Sequence, residues 1–200
     1  MIYTPRQFNL PSLQGLSEKQ VKVHLGLYEG YVKHVSLIAE TLKDAREGKA
    51  ALDPYVQAEL RRRFAFEFDG MRMHEYYFEQ FENGTVTPTP DSTLARIAAE
   101  KYGSFDDFIA HIKEVAGTRG IGWAVVYYDT VGKILHTVFV ADHEIGQLAG
   151  LPIILALDLW EHAYMVDYIP AEKKNYVEAF FNNINWGTIE ARLTTYINAA

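Results

Sequence analysis

The strongest constraint on this 200-residue chain is an uncharged apolar run, residues 151–157, that ends on Asp158, with His162 four positions further on. A short apolar run of this kind reads as a buried strand. A carboxylate and an imidazole at the end of such a strand cost free energy unless something charged neutralises them. A metal ion does so, and Asp with His is a hard-to-borderline donor set suited to iron, manganese or zinc. Spacing alone leaves the pair ambiguous, because Asp-x3-His also occurs as an ordinary hydrogen-bonded pair.

Upstream of this run the periodicity is helical. Residues 1–16 form an irregular arm interrupted by Pro5, Pro11 and Gly15. Ser17-Glu-Lys-Gln20 fits a capping box, Ser17 taking the amide three residues on and Gln20 reaching back. Val21, His24, Tyr28, Tyr31, Val35 and Ile38 then recur at helical steps to about Glu47, where Gly48 breaks the pattern. Asp53-Pro54 opens a second helix, cap followed by proline, that reaches about Phe81. Two long helices with a short link predict an antiparallel hairpin. The linker Asn83-Gly-Thr-Val-Thr-Pro-Thr-Pro90 separates an N-terminal domain, 1–86, from a C-terminal domain, 87–200. There, short helices over 91–102 and 104–117 precede strands over 120–128, 133–141 and 151–158, and helices over 172–184 and 188–197 follow. The fold class is α+β: a long helical hairpin packed on a domain with a small three-stranded antiparallel sheet and surrounding helices.

Composition narrows the chemistry. With no cysteine, thiolate ligands, disulfides and Cys nucleophiles are excluded, and a reducing compartment is compatible. The net charge of −7 argues against nucleic acid as a partner. No apolar run approaches the roughly 20 residues of a membrane span, and the N-terminus shows no basic-then-apolar leader, so a cytoplasmic, non-membrane protein is expected. Of the seven histidines, His34, His111 and His136 lie among charged or alternating polar positions and read as surface. His24 lies on the apolar face of the first helix and His74 sits among methionines and aromatics on the second. Singly each reads as a core histidine; beside Asp158 and His162 they read as ligands that the hairpin points at the second domain.

Several pieces in order resemble the iron/manganese superoxide dismutase family: His24 with Gly30-Tyr31-Val32, the segment around His74, Tyr102-Gly-Ser-Phe105-x-x-Phe108, Gly120-x-Gly-Trp123, the word Asp158-Leu-Trp-Glu-His-Ala-Tyr164, and Tyr176-x-x-x-Phe180-x-Asn182-x-x-Asn185-Trp186. The resemblance runs from Leu10-Pro11 to Trp186. It implies that His24, His74, Asp158 and His162 bind one iron or manganese ion per subunit, with solvent as a fifth ligand. It implies disproportionation of superoxide to oxygen and hydrogen peroxide as the ion cycles between +3 and +2, which excludes zinc as the working ion. Tyr31 matches a gateway tyrosine and Trp123 and Trp160 aromatic walls of the pocket.

Where the family usually has a glutamine donor to the bound solvent, this chain has Gly70 at one position and His143 at the other, with Gln147 in reserve. An imidazole there, unlike an amide, is expected to titrate near neutral pH. Glu161 and Tyr164 imply a homodimer or dimer of dimers, Tyr164 lacking its usual histidine partner because Tyr28 stands in that place. His24 to Tyr31 spans seven residues rather than eight, which on a regular helix keeps both on nearly one face, within about 20°. The arginine usual beside the entrance has no match, and Lys173 is the substitute the sequence suggests. An iron oxygenase or peroxidase and an inactive storage or structural relative stay open as alternatives.

Overall fold

The structure, a computed structural model, describes residues 2–199. After an extended arm come α1 (Glu18–Arg46) and α2 (Pro54–Glu79), then α3 (Thr93–Tyr102) and α4 (Phe105–Ala116). Next are β1 (Gly122–Asp129), β2 (Ile134–Ala141) and β3 (Ile153–Asp158), followed by α5 (Lys173–Asn183) and α6 (Trp186–Ala199). The strand order is β2-β1-β3, antiparallel throughout. The sheet, the hairpin and the surrounding helices match the expected α+β class. Among the described residues no helix is long and apolar enough to cross a membrane.

Local chemistry sets the helix starts. Ser17, Asp53, Ser92 and Ser104 each cap a helix by accepting a first-turn amide through the side chain. The capping box at Ser17 is only half formed. Ser17 Oγ takes the Gln20 amide at 3.0 Å, but the Gln20 side chain turns inward instead of back. Buried there, it is hydrogen-bonded to the His162 carbonyl and the Val166 amide.

One core runs through both halves of the chain. Val32, Val35, Met71 and Phe78 of the hairpin belong to the same buried cluster as Trp123, Leu155 and Phe180. β1 is the sheet's central strand and is buried on both faces, which explains its continuous run of apolar and aromatic residues. It can start only at a glycine. Gly122 has φ of +147°, and a Cβ there would stand 2.1 Å from the Val140 oxygen of β2. The outer backbone edge of β3, buried at Ala156, is closed by Gln80, just beyond α2. Its amide donates to the Ala156 oxygen and accepts the Ala156 N–H, both at 2.8 Å.

Candidate metal centre

α1 is one unbroken α-helix, so His24 and Tyr31 share its inward face as the seven-residue spacing predicts. α2 lies antiparallel and brings His74 to the same level. From the other side, β3 ends on Asp158, and a short 3-10 turn, Glu161–Ala163, carries His162 back over it. His24, His74, Asp158 and His162 each offer one ligand atom, and the four atoms lie within 4.8 Å of one another. Asp158 Oδ2 is the hub: it lies 3.0 Å from His24 Nε2, 3.3 Å from His162 Nε2 and 3.5 Å from His74 Nε2. Donors held about 2.1 Å from one ion stand about 3.0–3.6 Å apart for angles between about 90° and 120°. The donor set therefore fits a single mononuclear ion.

Every partner around the four orients them the same way. His74 Nδ1 donates to the Gly70 carbonyl at 2.6 Å, which leaves the Nε2 lone pair turned to the centre. Asp158 Oδ1 accepts the Trp160 amide at 2.9 Å, and the Asp158 carbonyl accepts the Tyr176 hydroxyl at 2.7 Å. Gln20, reaching across from α1, donates to the His162 carbonyl at 2.6 Å and accepts the Val166 amide at 2.9 Å. Burial alone would raise the Asp158 carboxyl, but the charge and hydrogen bond of His162, joined by His24, hold it well below the usual carboxylate range. Burial lowers His24 and His74 against the pull of Asp158. His24 and His74 are thus held toward the neutral form that a cation needs, beside one ionised carboxylate.

A second constellation adjoins the first. His143 is fully buried and bridges two aromatics: Trp123 Nε1 donates to its Nδ1 at 3.0 Å, and its Nε2 lies 2.8 Å from the Tyr31 hydroxyl. Its expected titration near neutral pH is not what this setting gives. Burial pushes the ring down to about 4, so it is neutral at physiological pH. Because the indole donates to Nδ1, the ring proton sits on Nε2 and points to Tyr31. Gln147 does not reach this group; it donates to the His143 carbonyl at 2.8 Å and accepts the Tyr127 hydroxyl, bracing the loop from behind. Gly70 makes room for the gateway: a Cβ there would lie 2.7 Å from the Tyr31 ring.

Other residues fall where local pattern could not place them. Tyr28 is turned into the subunit, its hydroxyl donating to Glu75 at 3.1 Å and accepting the Arg6 amide at 2.8 Å. His34, at 55% side-chain exposure, lies 3.7 Å from Glu67, and His111 and His136 are also partly exposed. Lys173 Nζ donates to the Thr118 carbonyl at 3.4 Å. Phe66, absent from the sequence reading, packs on His143 at 4.6 Å, Tyr31 at 6.1 Å and Trp160 at 6.3 Å. Its only sequence signal is the alternation Phe64, Phe66, Phe68, which resembles a strand more than a helix.

Fold and donor set together define the class: an α+β protein with the donors for one buried ion between its helical hairpin and its sheet. Residues 90–192 match the model of the C-terminal domain of iron/manganese superoxide dismutases. The chain is 32% identical over 197 residues to an iron superoxide dismutase of Saccharolobus solfataricus, covering 96% of this chain and 93% of that protein. It is 30% identical to the manganese/iron enzyme of Aeropyrum pernix, covering 98% and 92% of the two chains, respectively. With a manganese enzyme of Haloferax volcanii it shares 34% identity over 82% of this chain and 80% of the other. The chain belongs to the iron/manganese superoxide dismutase family.

Proposed function

We propose that this protein disproportionates superoxide to oxygen and hydrogen peroxide, with His24, His74, Asp158 and His162 holding one iron or manganese ion. The observation that carries the ligand assignment is the convergence of three Nε2 atoms on one buried Asp158 oxygen. When bound, the ion supplies one-electron chemistry between +3 and +2 and lowers the pKa of its solvent ligand. The protein's own residues do the rest. They keep the donors deprotonated, shut out bulk water and present a proton to the pocket.

Tyr31 is the residue proposed to present it. Burial, and then the Asp158 charge, raise its hydroxyl above the ordinary tyrosine range, so it keeps its proton. Since His143 donates to its oxygen, the Tyr31 proton is free to point into the pocket. Trp123, His143 and Tyr31 therefore form a directed row of donors, with Trp160 stacked on His143 at 4.8 Å and on His162 at 5.6 Å to seal it. Four protein ligands inside this ring leave little room for the organic substrate of an oxygenase.

We also propose that the protein works as a homodimer through Glu161 and Tyr164. Glu161 is exposed beside the His162 turn. Exposed apolar side chains lie on the same strip of chain, Met165, Val166 and Ile169, and Val23 and Leu27 of α1 are exposed as well. Tyr164 lies behind this strip, buried against Tyr176 with ring centroids 5.2 Å apart.

The test is reconstitution of metal-free protein with iron and with manganese separately, followed by metal analysis and superoxide consumption. About one ion per chain with rapid turnover for at least one metal is expected. Stoichiometric metal without turnover would leave the ligand assignment standing and remove the activity.

A further inference from the structure

The usual entrance arginine is missing, and Lys173, the substitute suggested by sequence, is engaged with the Thr118 carbonyl between α4 and α5, with Glu161 as its charged neighbour. A run of three further cations, Arg61-Arg62-Arg63, lies on α2. Arg62 is committed to Glu59 through two bonds, 2.8 and 2.6 Å, and Arg61 bonds Gln57 at 3.2 Å; both pairs lie along the exposed surface of α2. Arg63 is set differently. Its guanidinium lies over the Phe66 ring at 3.8 Å, and Phe66 in turn covers His143 and adjoins Tyr31 and Trp160. The four side chains that hold the centre are nearly sealed, apart from His162 at 16% exposure, whereas Arg63 remains 44% exposed. From solvent inward the order is thus Arg63, Phe66, His143.

We propose that Arg63 is the residue that draws the anionic substrate to the pocket, in the role the missing arginine would otherwise fill. This rests on the superoxide reading above. Three features suit it to the task. Its Nε donates to Glu67 at 2.8 Å, which fixes the plane of the fork, while among the described residues its terminal nitrogens have no hydrogen-bond acceptor. Glu67 is buried, 6% exposed, and lies behind the arginine, so the pair presents its positive end outward. Stacking on Phe66 holds the cation at the rim without long-range ordering cost. In a chain of net charge −7, a cation fixed at the mouth supplies the local field that the total charge opposes.

The experiment compares Arg63→Gln with Arg62→Gln, which removes the same charge from an adjacent position on the helix, in metal-loaded protein. Superoxide consumption is measured across ionic strength, and azide affinity is measured by optical titration as an anion readout that needs no turnover. Arg63→Gln is expected to lower the second-order rate constant and weaken azide about two- to fivefold at low salt. The difference should fade above about 0.5 M salt, where screening shortens the reach of the field. Glu67→Gln, which unmasks the cation instead of removing it, should shift both readouts the opposite way. Identical behaviour of the Arg63 and Arg62 variants, or a loss independent of salt, would overturn the proposal. Absence of turnover in the parent protein, with azide still discriminating the two variants, would instead indict the superoxide reading.

Discussion

The two halves of the molecule deliver the same number of donors by opposite means. The hairpin places His24 and His74 on unbroken helices, so the helix itself fixes each position and one backbone carbonyl suffices to set the His74 tautomer. The C-terminal half places Asp158 and His162 where a strand has just ended and a single 3-10 turn follows. That stretch has little regular structure to hold it. Side chains from elsewhere do so instead: Gln20 on α1, Gln80 after α2, Tyr176 on α5. A ligand on a helix inherits its precision; a ligand on a loop has to be pinned by separate hydrogen bonds.

That contrast can be broken. The largest effect is expected from Gln80→Leu, which leaves both the N–H and the carbonyl of Ala156 buried and unpaired two residues before Asp158. The loss should be about 3 kcal/mol in chemical denaturation, with weaker metal retention. A change in stability below about 1 kcal/mol would show that β3 needs no clamp. Next comes His143→Ala, which leaves all four donors in place but cuts the link from Trp123 to Tyr31. Metal content should be unchanged while turnover falls about tenfold to a hundredfold; full turnover would remove His143 from the proton path.

The smallest effect sits where the two halves meet, at Asp69 on α2. Burial, and then the Glu144 charge from the His143 loop, push its carboxyl up to about 6. Because this lies above its unfolded value, the folded state holds the extra proton. Asp69 therefore adds stability below about pH 4 that is lost as pH rises through about 6. Asp69→Asn should be more stable than the parent at pH 8 by about 1 kcal/mol, the shift being discounted for partial exposure. At pH 4 the advantage should vanish. Equal urea midpoints for the two proteins at pH 8 would show that the α2–loop contact carries no such penalty.

What the sequence reveals follows the same division. Helical periodicity is local, so His24 and His74 stand out on apolar faces, and the run before Asp158 marks its strand without help. Gln20 shows where that logic ends. Its neighbourhood spells a capping box, yet its side chain serves a carbonyl 142 residues away. Gln80 meets Ala156 across 76 residues, and nothing in its surroundings distinguishes it from a solvated glutamine. Arg63 sits in a run of three arginines whose members diverge only once α2 is packed. The family resemblance marks the position of His143, but its neutral state depends on the indole and the burial that folding supplies.

Of the chain's three tryptophans, Trp123 and Trp160 border the donor cluster, whereas Trp186 packs against Phe105 and Phe181. Intrinsic fluorescence should therefore split into two populations. A paramagnetic ion entering the pocket would dim the first two indoles and spare the third, giving a dye-free optical gauge of loading with its own internal standard.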